Sequence, residues 1–295
     1  MTSKCSFVSK GKILNLFISK SECIYRNLAF EEKLFRTHDL SKGNAIFIWS
    51  NTPSVVIGRH QNPWLEINIP YVLENQINIA RRHSGGGTVY HDQGNLNISI
   101  LTEHSRHCRP KNLTMLSSIL NEKYKTNIRS NERDDMILMP GEKKISGTAA
   151  RISKGRAYHH LTLLVNVNLT ILKNALKSPW VSNIQTNATR SVPAKAVGFL
   201  KQEVENINVE DVKKTLVDGL IEENDGMFNL NKVDPNNDKE IYADDLETLT
   251  SWEWIYGKTP KFTYTSSNDN LTLEIEKGKI RGLDHALPPI LKVQP

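Results

Sequence analysis

The sequence predicts an α/β protein of the α+β kind, in which helices pack on a large mixed β-sheet. Two observations lead to this fold class. Short strands dominate the first 168 residues, and helices are interspersed among them without a regular strand–helix alternation. After about residue 200 an amphipathic helix and an acidic, turn-rich stretch follow instead. We therefore expect one large domain, or a large domain with a small satellite.

The strands and helices can be placed in order along the chain. Strands are expected at 13–18, 45–49, 54–58, 88–90, 96–101, 136–139, 158–167, 271–275 and 279–281, where β-branched and aromatic residues lie between turn residues. Apolar periodicity predicts helices at 27–35, 113–124 and 209–220, with Asn27 as the N-cap of the first. The short turn between 45–49 and 54–58 favours neighbouring strands of one sheet. The last two strands are expected to form a hairpin.

Composition excludes several classes of protein. The 295 residues carry a formal charge of +6, but the lysines and arginines are scattered, which disfavours nucleic acid and is compatible with an anionic ligand. The three cysteines, Cys5, Cys23 and Cys108, have neither metal-binding nor disulfide spacing, which indicates a reducing compartment. No apolar run is long enough to span a membrane. We expect no metal site and no membrane or nucleic-acid partner.

The N-terminus has two interpretations. Several lysines and serines and no acidic residue occur before Glu22, which is typical of a mitochondrial presequence. Such segments usually contain arginine, and the first arginine here is Arg26. A solvated basic N-terminus explains the same composition. Residues 1–12 are the expected extent of a presequence.

The glycine run Gly85–Gly87 follows the pair Arg81–Arg82. Without Cβ atoms, backbone can approach a ligand closely and adopt positive φ, and its amides can bind phosphate oxygens. The two arginines can pair with a phosphate or stack on a base. A flexible loop beside a basic surface pair is the alternative. The run is neither a Walker loop nor a dinucleotide-binding fingerprint.

A lysine and two histidines also have chemical potential. Lys144 precedes small residues in KISGT, so its ammonium could neutralise charge that develops on a bound carbonyl or phosphate. An exposed turn lysine is the ordinary alternative. Alternation along the strand places His160 and Thr162 on one face and His159 on the other, which disfavours a shared metal ion. A hydrogen-bonded structural histidine is the default interpretation of either ring.

Six long motifs occur in order along the chain: VVIGRHQNPW at 55–64, RRHSGGGTVYHDQGN at 81–95, KISGTA at 144–149, YHHLTLL at 158–164, NATRSV at 187–192 and SWEWIYGKTPKF at 251–262. Together they resemble the lipoate–protein ligase and lipoyltransferase family. The segments at 158–160 and 251–262 are most similar to the animal mitochondrial lipoyltransferases. The resemblance implies a large mixed-sheet domain of the biotin/lipoate protein ligase type and a small C-terminal α/β domain.

The resemblance also implies a binding site for lipoyl-AMP. Lys144 matches the family's central lysine, which bridges the acyl carbonyl and the phosphate, and is the expected catalytic residue. The implied ligand contacts are Arg82, Gly85, Gly86, Gly87, Thr88, Val89, Tyr90, Arg133, Lys144, Thr162 and Thr189. His160 is a further candidate, and no metal ligand is implied.

Domain boundaries follow from the same match. A lipoyl-adenylate-binding catalytic domain is expected at 13–230, a polar linker at 231–245, and a small C-terminal domain at 246–295. The last domain is short for the family, so we expect it to be truncated. A monomer is expected.

Three functions stay open at this point. The first is transfer of an activated lipoyl group, from lipoyl-AMP or a lipoyl carrier protein, to a lysine of lipoyl domains in 2-oxoacid dehydrogenase complexes. The second is a complete ATP-dependent ligase, which would require ATP and Mg²⁺, and the third is a non-catalytic lipoyl-binding relic. By resemblance, the partners are lipoyl domains of E2 subunits and the glycine cleavage H protein. The expected location is the mitochondrial matrix, and no tightly bound cofactor is expected.

Overall fold

The computed structural model describes residues 12–237, 243–266 and 271–281. Its α-helices are α1 (Ile24–Thr37), α2 (Pro63–Glu66), α3 (Ile69–Glu74), α4 (Arg109–Tyr124), α5 (Leu169–Ala175), α6 (Val209–Glu223) and α7 (Ala243–Thr250). Its strands are β1 (Leu14–Ser19), β2 (Ala45–Trp49), β3 (Ser54–Ile57), β4 (Asn78–Arg81), β5 (Val89–His91), β6 (Asn95–Glu103), β7 (Ile128–Ser130), β8 (Met136–Leu138), β9 (Lys143–Lys144), β10 (Ser146–Ser153), β11 (Arg156–Leu164), β12 (Ile184–Thr186), β13 (Phe228–Val233), β14 (Phe262–Thr265), β15 (Thr272–Glu276) and β16 (Lys279–Ile280).

The chain forms two compact units, each made of three separate stretches. The first unit is Met1–Thr52, Asp92–Asn168 and Ala194–Tyr242, and the second is Pro53–His91, Leu169–Pro193 and Ala243–Pro295. This division differs from the domain boundaries expected from the sequence, which stay a prediction. Strand β13 continues to Val233, inside the expected linker. Except for Lys12, the expected presequence lies outside the described residues.

A mixed sheet forms the centre of the first unit. Its strand order is β10-β11-β6-β2-β1-β13. Strand β1 runs parallel to β2 and β13, whereas β2, β6, β11 and β10 pair antiparallel in turn. This arrangement of parallel and antiparallel pairs confirms the predicted mixed sheet.

The two faces of this sheet pack against different helices. On one face Ile46, Ile98 and Leu161 form the main core with leucines of α4 and α6. On the other face Phe35 of α1 packs against Tyr158. Burial of apolar surface on both faces stabilises the sheet by about 25 cal/mol per Å² removed from water. Both faces of β11 are therefore enclosed, which places its polar side chains in buried surroundings.

The second unit contains two smaller sheets, with strand orders β4-β3-β5 and β12-β14-β15-β16. The motif SWEWIYGKTPKF lies in this unit and begins with a π-helical turn at Glu253–Gly257. Trp64 joins the motif to α2, because its ring lies 5.7 Å from that of Tyr256 and 5.3 Å from that of Phe262. These aromatic contacts hold the C-terminal motif against the N-terminal part of the same unit.

Most predicted strands and helices are confirmed, including the final hairpin of β15 and β16. Two predictions are wrong. Asn27 is not an N-cap, because α1 begins at Ile24 and the buried Asn27 amide binds Ser19, Ser21 and Asn51 instead. The strands at 45–49 and 54–58 are not neighbours, because β2 and β3 belong to different sheets. In the part of the chain that the structure describes, no helix has the length and apolarity needed to cross a bilayer.

Candidate active site

Lys144 is held in the first unit by backbone bonds on both sides. Strand β9 pairs with β8, while the Lys144 amide donates to Ala196 and its carbonyl accepts from Gly198, both at 3.0 Å. The next residue, Ile145, is fully buried in the core. Alternation therefore directs the Lys144 side chain away from that core. Its Nζ lies 2.6 Å from Asp135 Oδ1, and the two side chains are 24% and 8% exposed.

The loop before β8 presents Asp135, and not Arg133, to Lys144. Asn131 Oδ1 accepts the amides of Arg133 and Asp135, both at 2.9 Å, which closes a tight turn. Asp134 adopts a φ of 58° and pairs with Arg109 at 3.3 Å. The two aspartates therefore bind different cations. Arg133 is exposed, and its contact with lipoyl-AMP stays a prediction.

Thr162 and His160 lie on the face of the sheet that α1 covers. The pairing register places Thr162 beside Asn97, and Asn97 beside Trp49. The hydroxyl of Thr162 accepts the Gly147 amide at 2.8 Å. A row of buried polar and aromatic side chains therefore crosses β11, β6 and β2 and ends at the Gly147 backbone of β10.

His160 lies on the same face of β11, two residues before Thr162. Its ring centroid is 4.9 Å from that of Trp49 in an edge-on arrangement, and its Nδ1 is 3.1 Å from Glu31 Oε1 on α1. Trp49 is fully buried, and its indole N–H has no hydrogen-bond partner among the described residues. A buried donor without a partner is costly, which makes this indole a candidate for ligand contact. Sequence reasoning missed Trp49 and Asn97, although the alternating asparagines of β6 were a usable signal.

His159 has a structural environment on the opposite face, as alternation predicts. Its Nδ1 lies 3.2 Å from the side-chain nitrogen of Asn112 on α4. Burial, with smaller contributions from His107, Arg109 and His160, lowers the pKa of His159 to about 3. The imidazole is therefore neutral near pH 7, and its role is to join β11 to α4.

Arg81 is a structural residue of the second unit. It is fully buried, and its Nε and Nη2 donate to the Ile255 carbonyl at 2.9 and 2.7 Å. Its Nη1 donates to the carbonyls of Gly58, Arg59 and Gln61 at 2.9–3.1 Å. Burial lowers the pKa of Arg81 to about 10, so the side chain stays charged at neutral pH. These bonds use the guanidinium inside the protein, and pairing with a phosphate is not its function in this conformation.

Arg82 shapes the glycine loop. It is 2% exposed, and its guanidinium donates to the carbonyls of Gly85 and Gly87 at 2.6 and 2.7 Å. It also donates to Ser84 Oγ and the Val56 carbonyl, both at 3.0 Å. Arg82 thus turns two loop carbonyls toward itself. Its predicted direct contact with the adenylate stays a prediction.

The three glycines of the run have different surroundings and backbone conformations. A Cβ at Gly85 would meet no atom within 4 Å. Gly86 has a φ of 86°, a conformation that favours glycine. Its carbonyl oxygen would lie only 2.1 Å from a Cβ added at Gly58, so the two backbones pack closely. A Cβ at Gly87 would lie 3.1 Å from Ser191 Oγ. The missing side chain at Gly85 therefore leaves open space next to the loop, whereas the space beside Gly87 is occupied by Ser191.

The other predicted contacts in the second unit differ in exposure. Tyr90 is buried, Val89 is half-buried, and Thr189 is exposed. Thr88 donates through its amide to Ser191 Oγ and through its hydroxyl to Gln61 Oε1, both at 2.8 Å. Sequence reasoning missed Gln61 and Ser191, although both lie in the recognised motifs.

Among residues 12–237, 243–266 and 271–281, no three His, Cys, Asp or Glu side chains are placed to hold one metal ion. Within the first unit, Lys144 pairs with Asp135, and Thr162 and His160 lie on the face of the sheet that α1 covers. Within the second unit, Thr88 follows the glycine loop and bonds Ser191 and Gln61. The polar groups of each unit can act on a ligand by charge and by hydrogen bonding.

Comparison with solved structures defines the class of protein. The fold is similar to LipL1 of P. falciparum, which was crystallised with lipoate, with a TM-score of 0.71 and 25% sequence identity over 90% of this chain and 82% of that one. Residues 23–221 match the lipoyl protein ligase A/B catalytic domain. The predicted fold class is thereby confirmed.

The chain belongs to the lipoyl protein ligase A/B catalytic domain family. It is 38% identical to "Lipoyl amidotransferase LIPT1, mitochondrial" of Mus musculus over 83% of this chain and 66% of that protein. The protein of the same name from Homo sapiens is also 38% identical, over 88% of this chain and 69% of its own length. The matched part is thus about two thirds of each mammalian relative. The resemblance predicted from the motifs is confirmed.

Proposed function

We propose that this protein is a lipoyl amidotransferase, which moves an activated lipoyl group to a lysine of an acceptor lipoyl domain. The donor is lipoyl-AMP or a lipoyl carrier protein. The observation that carries the proposal is the fixed ammonium of Lys144 within the motif KISGT, 2.6 Å from Asp135. Family membership, and the relatives named lipoyl amidotransferase, support the same reaction.

The reaction needs no enzyme nucleophile, because lipoyl-AMP is already a mixed anhydride. The acceptor lysine attacks the lipoyl carbonyl carbon as a neutral amine, and a C–N bond forms while the nitrogen loses one proton to water. The bond between that carbon and the phosphate oxygen then breaks, and AMP leaves. Lys144 stabilises the tetrahedral oxyanion, a contribution typically worth about 3–4 kcal/mol. An anionic ligand would compete with Asp135 for this ammonium.

The buried face around Thr162 and His160 supports a place for the lipoyl chain in the first unit. Trp49 and Phe47, whose rings stack at 4.4 Å, provide apolar surface, and the indole N–H of Trp49 provides an unpaired donor. The glycine loop, with its open space at Gly85, supports a phosphate or nucleotide contact in the second unit. Acceptors of this reaction would be lipoyl domains of E2 subunits and the glycine cleavage H protein, and its location the mitochondrial matrix.

A transfer assay tests the proposal. Purified protein is given a lipoyl domain with either lipoyl-AMP, or lipoate with ATP and Mg²⁺. We expect rapid lipoylation from lipoyl-AMP and little from the second mixture. Lys123→Ala is the matched control for Lys144→Ala, because Lys123 is an exposed lysine of α4. Lipoylation at equal rates from both mixtures would favour the ATP-dependent ligase, and binding of lipoyl-AMP without transfer would favour the non-catalytic relic.

A further inference from the structure

Gln61 joins three segments of the second unit although it makes no contribution to the proposed chemistry. It is fully buried. Its Oε1 accepts the Gly58 amide at 2.9 Å and the Thr88 hydroxyl at 2.8 Å. Its Nε2 donates to Ser191 Oγ at 3.0 Å. One amide group therefore connects the GRHQN turn, the end of the glycine loop and the NATRSV segment.

Ser191 is the second member of this network. Its Oγ also accepts the Thr88 amide at 2.8 Å, so one hydroxyl receives bonds from both Gln61 and the loop backbone. Its own amide donates to the buried carboxylate of Glu66 at 3.2 Å. Gly87 packs directly against Ser191, since a Cβ there would lie only 3.1 Å from Oγ. Ser191 is thus fixed between Glu66 and the glycine loop.

Arg81 fixes the backbone conformation around Gln61 through hydrogen bonds. Its Nη1 donates to the Gln61 carbonyl at 2.9 Å and to the Gly58 carbonyl at 3.1 Å. The Gln61 amide in turn donates to the Gly58 carbonyl at 3.1 Å. Because backbone and side chain are both bonded, Gln61 has a single arrangement that satisfies all its partners. Such a buried hydrogen-bond network fixes the position of the groups it binds.

We propose that Gln61 is a positioning residue for lipoyl transfer. Through Ser191 and Thr88 it holds the glycine loop in the shape that receives the adenylate of lipoyl-AMP. This inference rests on the proposed function and adds residues that set the donor site without touching the reacting atoms. It predicts a selective effect on the donor, because the network binds the loop and not the acceptor domain.

The test uses two variants and steady-state kinetics with purified full chain. Ser191→Ala removes the acceptor shared by Gln61 and Thr88, and Gln61→Met keeps the side-chain length without its polar atoms. We expect each to raise KM for lipoyl-AMP about tenfold, the effect of one lost hydrogen bond that leaves a donor unpaired. The value of kcat and the KM for the acceptor domain should change less than twofold. Ser182→Ala is the control, because this exposed serine bonds only its neighbour Asn183 among the described residues.

The double variant of Gln61→Met and Ser191→Ala tests whether the two residues affect KM for lipoyl-AMP through one network or independently. If Gln61 acts through Ser191, the double variant should raise KM about as much as the worse single variant. Effects that multiply to about a hundredfold would overturn the inference. So would a folded Ser191→Ala protein with KM for lipoyl-AMP within twofold of the wild type. If Gln61→Met does not fold, Ser191→Ala decides alone, because Ser191 is only half-buried.

The proposed function and this inference fail in distinguishable ways. A wild-type protein that neither binds nor transfers lipoyl-AMP would refute the function, and the inference with it. An active wild type whose Ser191→Ala variant has unchanged donor kinetics would refute the inference alone. Equal increases in both KM values would show a general structural role and would also overturn it.

Discussion

Changing each glycine of the run to alanine should produce three different results, and the contrast tests whether the loop contacts a ligand. At Gly85 no atom lies within 4 Å of an added Cβ, and φ is not positive. Gly85→Ala should therefore change the free energy of unfolding by no more than about 0.5 kcal/mol. If the open space receives lipoyl-AMP, its KM should still rise about tenfold or more, because the methyl group occupies that space.

The other two positions should lose stability as well. Gly86 has a φ of 86°, where an L-residue costs about 1–2 kcal/mol. At Gly87 the new Cβ lies 3.1 Å from Ser191 Oγ, so Ser191 must shift, and overpacking of this kind costs about 1–3 kcal/mol. Both variants should also bind lipoyl-AMP less tightly, since the loop changes shape.

The assay combines chemical denaturation with transfer kinetics at varied lipoyl-AMP. Gly155→Ala is the matched control for Gly86→Ala, because Gly155 has a φ of 73° and no atom within 4 Å of an added Cβ. It should lose a similar amount of stability and keep its KM. If Gly85→Ala and Gly86→Ala both keep wild-type KM values, the glycine run is only a loop and the reasoning about ligand contact is wrong.

Three further predictions concern Lys144, His159 and Arg81. Lys144→Ala should reduce transfer from lipoyl-AMP at least about a hundredfold, and near-normal transfer by this variant would refute the mechanism. Adding Asp135→Asn to Lys144→Ala should recover stability but not activity, because it removes the unpaired carboxylate. The pKa of His159 is about 3 in the folded protein, below its value of about 6.5 in the unfolded chain, so the unfolded chain binds more protons between these two pH values. The contribution of His159 to the free energy of unfolding is therefore fully present above about pH 6.5 and is lost as the pH falls toward 3. Denaturation curves should show a slope of up to about 1.4 kcal/mol per pH unit from this group, and His159→Gln should flatten it; an unchanged slope would contradict the assignment. Arg81→Lys should lower the free energy of unfolding by at least about 3 kcal/mol, because an ammonium cannot reach all the carbonyls that the guanidinium binds; a loss below about 1 kcal/mol, measured by urea denaturation, would exclude a structural role.

Local sequence was sufficient for features that depend on neighbouring residues. Alternation along 158–164 correctly separated His159 from His160, because successive side chains of a strand point to opposite faces. The adjacent Asp134 and Asp135 bind different cations, Arg109 and Lys144. The motifs around the glycine run and Lys144 identified the family, because long matches in order are specific.

Only the tertiary structure decided which distant residues meet. Gln61 and Ser191 are separated by 130 positions, and no periodicity relates them. Arg82 donates to the carbonyls of Gly85 and Gly87 in its own loop, which local sequence does not predict, and its contact with the adenylate stays a prediction. Trp49 adjoins Asn97 only through the pairing register of β2 and β6. The pairing register of strands and the acceptors that buried donors reach are set by the free energy of the whole packed chain. The distance between two residues in the sequence carries no information about either.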